Sequence, residues 1–326
     1  MFDLNQYYDN DAKDIYISDV DSLAPAVVEN GCGMIKAGYG GDDDPFAIFP
    51  SLIGKAPNLP QMVGLSNKDT FVGDEALYKK GILTLEYPIE FGLVKNWDSL
   101  EKILHFTFYN GLRIAPEERD ILLTSKSGFI VLDLLLALLQ SGRTTGTVIS
   151  SGEGVTSCIS IYNGYFSKNS VFKSNLAGKV LNKSLMEILN EFGLYFSTLG
   201  HLEIVRDIKE KICYVALDFE EEIQKSIESN SIQRGYQLPN GDVIELNDAR
   251  FKCSEALFQP HLIGMDDTIP IHKMIYESIM KSPIHNRKEL FNNIILVGGT
   301  TLLTGIIERL NKEISSLVNK NQLISK

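Results

Sequence analysis

The sequence predicts an α/β fold made of two related halves around a cleft. Three observations predict it. Short strands alternate with amphipathic helices along most of the chain. A length of 326 residues allows about two domains. A seven-residue pattern also occurs twice: VVENGCG at 27–33 sets beside VISSGEG at 148–154 without a gap. Self-similarity at long separation signals two related halves. In each copy, glycines flank a single residue between two strands, so main-chain N–H groups can crowd around an anion without Cβ obstruction. Two such hairpins facing across a cleft would grip a polyphosphate from both sides. The same pattern also suits two ordinary β-turns.

Taken in order, residues 1–22 hold six aspartates and one lysine, which reads as a solvated acidic tail or a segment for a basic partner. Residues 26–28 form a first strand, 31–33 turn it and 34–39 return it. The run GGDDDP at 40–45 is a turn, and 51–75 reads as short strands with a mobile loop at 58–61. Asp98 and Glu101 form a capping box that opens a helix, with Leu100, Ile103, Leu104, Thr107 and Phe108 on one face. A buried strand is expected at 121–124. A tight link at 125–128 leads into a helix at 129–139 that is apolar nearly all round, hence buried. Asp133 inside it is either a first-turn aspartate favoured by the helix dipole or a carboxylate aimed into the cleft.

The second hairpin joins strands at 147–149 and 155–162. Leu181, Leu185, Ile188 and Leu189 mark a helix that stops near Gly193. A longer helix follows with Ile204, Val205, Ile208, Ile212, Val215 and Phe219 inward; Arg206, Lys209 and Glu210 lie on its other faces, where charges are usually solvated. Residues 236–246 read as a hairpin about Pro239-Asn240-Gly241. A buried strand at 294–297 runs through Gly298-Gly299-Thr300-Thr301 into a helix with Leu303, Ile306, Ile307, Leu310 and Ile314 inward, which places N–H groups and a positive dipole end beside a ligand.

The totals exclude several classes. The net charge of −11 argues against nucleic acid, which needs a basic face. Cys32, Cys158, Cys213 and Cys253 lie far apart with no CxxC, as expected of reduced thiols in a cytosolic protein. The start, MFDLNQ, lacks the basic and apolar regions of a signal peptide. The longest apolar run, 129–139, is too short to span a bilayer, so no membrane insertion is expected. The five histidines are scattered, and no stretch suggests a catalytic triad.

Longer stretches resemble the actin family: VVENGCGMIKAGYGGDDDPFAIFPS, FVGDEALYKKGILTLEYPIEFG, NWDSLEKILHFTFYNGLRIAPEE, SGRTTGTVISSGEGVT, EIVRDIKEKICYVALDFE, LFQPHLIGM and VGGTTLLTGIIERLNKEI. The likeness runs from about residue 27 to about residue 317. It implies the actin-like ATPase fold shared with sugar kinases and heat-shock chaperones, with two duplicated α/β halves around a nucleotide cleft. The implied division is a tail at 1–22, a first half at 23–140 with its outer lobe at 51–87, and a second half at 141–326 with its outer lobe at 177–267. By the same resemblance, Gly31, Cys32, Gly33, Met34 and Lys36 form the first phosphate hairpin. Gly152, Glu153, Gly154 and Val155 form the second. Gly178, Arg206, Lys209 and Glu210 surround ribose and adenine, and Gly299 with Thr300 forms the adenosine turn. The implied cofactors are ATP and Mg2+, with Glu29 near the metal through water. The implied partners are other actin subunits or actin-binding proteins, in a cytoplasmic, cytoskeletal setting.

The departures from the family pattern fall on its hydrolytic centre. Glu29 replaces an aspartate near the metal, and Asp133 replaces the glutamine that orients the attacking water. Ser157 stands at the histidine that assists it. Ser150 and Glu153 replace aspartates of the second hairpin, Cys32 a phosphate-binding serine, and Phe91 the methylated histidine. A loop and a surface helix of the family are missing between Leu123 and Phe129, and the family pattern continues where this chain ends at Lys326. The expectations are weakened hydrolysis and self-polymerisation, with apolar residues such as Leu135, Leu139 and Phe108 under-covered.

Overall fold

The structure is a computed structural model that describes residues 24–56, 70–125 and 130–324. The acidic tail, the loop at 58–61 and most of the 125–128 link lie outside the described residues. The first half opens with β1 (Ala26–Asn30), β2 (Met34–Tyr39), β3 (Ala47–Pro50), β4 (Ile53–Lys55), β5 (Thr70–Val72) and α1 (Asp74–Tyr78). It continues through β6 (Thr84–Glu86), β7 (Ile89–Glu90), β8 (Leu93–Val94), α2 (Trp97–Phe106), β9 (Ile121–Ser125) and α3 (Ile130–Gln140). The second half begins with β10 (Gly146–Ser151), β11 (Thr156–Tyr162), β12 (Tyr165–Phe166) and β13 (Phe172–Ser174). Then come α4 (Gly178–Glu191), α5 (Leu199–Ile212), α6 (Phe219–Glu228), β14 (Arg234–Gln237), β15 (Val243–Leu246) and α7 (Ala249–Glu255). The chain finishes with α8 (Ile271–Met280), α9 (Ile284–Asn292), β16 (Ile294–Val297) and α10 (Ile306–Ile324).

The duplication read from the sequence appears as repeated topology. β1 pairs antiparallel with β2 and parallel with β9. β10 pairs antiparallel with β11 and parallel with β16. The two main sheets therefore run β3-β2-β1-β9 and β12-β11-β10-β16, with β13 also on β11. Excursions leave each half at a matching point. The first carries the small sheet β5-β4-β6, and the second carries α4 to α7 with the β14–β15 hairpin.

β10 is buried along its whole length because both faces of its sheet are covered. Val148 packs with Leu134 and Leu138 of α3, while its neighbour Ile149 joins the other core with Met274, Ile275 and Leu290 of α8 and α9. Successive strand residues point to opposite faces, so one short run serves two cores.

Several local expectations are corrected. Asn96, not Asp98, caps α2, its side chain accepting from Ser99 N at 3.1 Å. The helix expected to reach Val215 and Phe219 stops at Ile212, and α6 begins separately at Phe219. Ile307 is exposed, not inward. β9 was expected buried, yet Leu122 and Leu123 are each 49% exposed; β16 is only partly buried. Among the described residues both strands are sheet edges with a single neighbour, which an apolar run of four residues does not reveal. α3 buries Leu134 and Leu138, but Leu136 and Leu139 face solvent. Phe108, expected under-covered, is buried, because a π-helical turn at Thr107–Leu112 carries it onto the first core.

One buried ion pair fastens α10 to the rest of the second half. Arg309 Nη2 and Nη1 donate to Glu255 Oε1 and Oε2 at 2.8 and 3.0 Å, Nη1 also donates to Ala216 O, and Nε donates to Glu313. Glu255 is fully buried. Arg309→Met strands that carboxylate, and the expected cost is about 3–5 kcal/mol in urea unfolding. The double variant Arg309→Met/Glu255→Leu is expected to recover most of it; an equal loss in both would show that the carboxylate is not the source.

Candidate functional site

The two glycine hairpins close with the same hydrogen bond. Gly31 N donates to Met34 O at 3.1 Å, and Gly152 N donates to Val155 O at 3.1 Å. Gly31 has no alternative, since a Cβ there would lie 2.5 Å from Met34 O. The hairpins meet tip to tip. A Cβ on Gly33 would lie 2.8 Å from Glu153 Cβ, and one on Gly154 would lie 2.7 Å from Cys32 Sγ. Glycine at both positions is what allows the two halves to approach this closely.

Three further elements converge on the second hairpin. Gly152 O accepts from Gly178 N at 3.0 Å and from Thr300 Oγ1 at 2.8 Å. Glu153 O accepts from Lys179 N, so the start of α4 is docked on hairpin oxygens. Lys209 Nζ donates to Gly178 O at 3.3 Å and is 4% exposed. The solvated face expected for α5 is therefore corrected for Lys209, which is buried against the start of α4. Arg206 bonds Glu210 and Glu203 on its own helix and reaches Met34 Sδ at 3.7 Å in the first hairpin. Gly299 opens a single 3₁₀ turn, Gly299–Leu302, and α10 begins only at Ile306. The helix dipole expected at Gly299 is thus absent; the contribution there is the Thr300 hydroxyl.

Across β1 and β2, Glu29 stands opposite Lys36, and the Lys36 ammonium bonds Glu29 Oε2 at 3.0 Å. Ser157 lies on β11 opposite Ser150 and is buried. Asp133 is in the first turn of α3, half-buried, beside Leu134. The helix dipole favours a carboxylate there.

Other contacts bridge the halves through residues that no local pattern selects. Lys179 bonds Glu90, and the Tyr87 hydroxyl donates to Glu203. Burial, then the Glu203 carboxylate, push the Tyr87 phenol far up, so it stays protonated. The Lys179 hydrogen bond holds Glu90 below the usual carboxylate range. Gly92 N donates to Cys32 Sγ at 3.2 Å, tying the first hairpin to the β7–β8 turn. Each of these partners is distant in sequence from the residue it meets.

Basic side chains beside the hairpins, Lys36, Arg206 and Lys209, suit a phosphorylated ligand. At Gly31, Gly33 and Gly154 a Cβ would meet Met34 O, Glu153 Cβ and Cys32 Sγ, so glycine there serves the close packing of the two loops. Asn30 Oδ1, Ser51 Oγ and Asn182 Oδ1 are buried without a hydrogen-bond partner; of these only the Ser51 hydroxyl can donate to a phosphate, since amide oxygens only accept. Asn30 flanks the first hairpin, Ser51 N donates to Gly33 O, and Asn182 bonds Glu153. Among the described residues no three His, Cys, Asp or Glu side chains converge as metal ligands. A hard cation here would take most of its oxygens from phosphate and water, with a single carboxylate such as Glu29 nearby. No helix among the described residues is long and apolar enough to cross a membrane.

The family model described as Actin matches residues 20–129 and again 125–325. The two matches meet at the shortened link between β9 and α3. Together they cover nearly the whole described chain, both hairpins and the helices that converge on them, and the chain belongs to the actin family.

Proposed function

We propose that this actin-like protein binds ATP with a divalent metal between its two hairpins, and that its hydrolysis and self-polymerisation are weakened or absent. Actin-family proteins generally bind ATP with a divalent metal, commonly interact with other actin subunits or actin-binding proteins, and are generally cytoskeletal. The observation that carries the reading is the pair of identically closed hairpins, in contact at their tips, with Lys209 and Thr300 behind them. In this reading Gly31 to Met34 and Gly152 to Val155 hold the phosphates and Lys36 meets them as a point charge. Glu29 stands near the metal, whose role when bound is to neutralise phosphate charge. Gly178, Arg206, Lys209, Glu210, Gly299 and Thr300 hold the nucleoside. The lobes then divide as the resemblance implies, with outer lobes at 51–87 and 177–267.

Hydrolysis needs a water held in line by a group that can donate and accept. An ionised Asp133 accepts but cannot donate a hydrogen bond, and phosphate charge nearby opposes its ionised form. Ser157 is buried and has no imidazole. Losing one such group costs about two to four orders of magnitude in rate, and losses within one unit do not add.

A second reading is a non-hydrolysing relative that caps or joins filaments of another actin. The uncovered apolar residues of β9 and α3 at the shortened link favour it, since exposed patches of this kind mark partner surfaces.

Three outcomes are expected. Millimolar ATP with magnesium raises the melting temperature, and Lys209→Met reduces the rise; no shift in the unaltered protein would remove the nucleotide reading. Phosphate release stays near background, and Asp133→Gln with Ser157→His together recover some turnover; release by the unaltered protein as fast as that of polymerised actin would contradict this. The protein alone gives no regular filaments by electron microscopy but pellets with a full-length actin; regular filaments of the protein alone would count against the reading.

A further inference from the structure

Asn182 is 1% exposed on the first helix of the second outer lobe, where the hairpin lies against it. Its Nδ2 donates to Glu153 Oε1 at 3.0 Å, while Oδ1 of the same amide is buried with no donor. The other carboxylate oxygen of Glu153 is wedged against Gly178, where a Cβ would lie 2.6 Å from it. An ionised carboxylate only accepts hydrogen bonds, so it cannot serve the orphaned amide oxygen. A protonated one can. A carboxylic acid and a primary amide can exchange hydrogen bonds in both directions, which would give the orphaned oxygen a donor.

We propose that Glu153 and Asn182 form a proton-operated latch at the floor of the cleft, whose protonated form presents a neutral surface to an incoming polyphosphate and whose ionised form repels it. The regulation rests on the nucleotide reading; the latch itself does not.

The surroundings bear on the proton. Burial is the largest influence and holds Glu153 above the usual carboxylate range. Lys209 and Arg206 of α5 oppose this, and Glu203 and Glu210 of the same helix reinforce it. From the first half, the Tyr87 phenol hydrogen-bonds Glu203, and the Cys32 thiol lies against Gly154. On α4, Lys179 is paired with Glu90. A bound polyphosphate adds negative charge and favours the acid form further, so binding takes up a proton at Glu153 from solvent, with no bond made or broken elsewhere.

The sign follows. A carboxyl raised in the folded state stabilises the fold below its ordinary range, and that contribution is lost as pH rises through the raised value. Glu153→Gln reproduces the acid form, with an amide that both donates and accepts. Without ligand, the melting temperature of the unaltered protein is expected to fall, relative to that of the Gln variant, as pH rises above the ordinary carboxylate range. With magnesium ATP, raising pH from about 6 to 8 is expected to weaken binding more in the unaltered protein than in the variant. The titration of ATP itself is common to both and drops out. If the Gln variant does not fold, Glu153→Ala serves, because it too lacks the titrating group. Equal pH slopes in the ligand-free and ATP measurements overturn the latch. Absence of ATP binding in every form at both pH values overturns the nucleotide reading, while the ligand-free comparison still decides the latch.

Discussion

The contact on which the structure turns is the meeting of two hairpin tips. Gly33 lies against Glu153, and Gly154 lies against Cys32, at spacings that a Cβ on either glycine would violate. Each hairpin is the corner of its own sheet, so the contact fixes how the two sheets face each other. The start of α4, the Thr300 turn and Lys209 then dock on oxygens of the second hairpin and of Gly178. Backbone groups that would otherwise be buried without partners are satisfied by this docking, which makes the arrangement cooperative.

The charges around this contact are paired or hydrogen-bonded. Lys209 is buried against Gly178 O, Arg206 lies between Glu203 and Glu210, and Lys179 crosses to Glu90 in the first half. Buried ions of this kind are tolerated only in pairs or with hydrogen bonds. The same groups can hold a ligand and hold the two halves together, so removing one affects both functions. Phe91 adopts a left-handed backbone in the β7–β8 turn, the turn that donates to Cys32. The turn opposite the first hairpin is therefore shaped by its backbone as well as by its side chains.

The duplication is not symmetric in its covering. The second sheet has α3 on one face and α8 with α9 on the other, and its central strands are buried except at Tyr162, the last residue of β11. The first sheet ends at β9, whose apolar residues on successive positions face solvent. Successive positions point to opposite faces, so both faces of that strand are uncovered. The family match breaks at the same link. The same hydrogen bond nonetheless closes the hairpin in both halves.

Sequence alone determined the strands flanking the two hairpins, the hairpin turns and the duplicated glycine pattern, because these depend on neighbours within a few residues. VVENGCG and VISSGEG carry their fold locally: glycine allows the turn and alternation marks the strands. Family membership was legible for a related reason, through long stretches that include the hairpins and the α5 helix. Tertiary structure decided the rest. Burial of Lys209, the bridges from Tyr87 to Glu203 and from Lys179 to Glu90, and the pairing of Glu153 with Asn182 join residues far apart in the chain. The exposure of β9 was also a tertiary matter. An apolar strand reads the same at the centre of a sheet and at its edge, and only the presence or absence of a second neighbour distinguishes them.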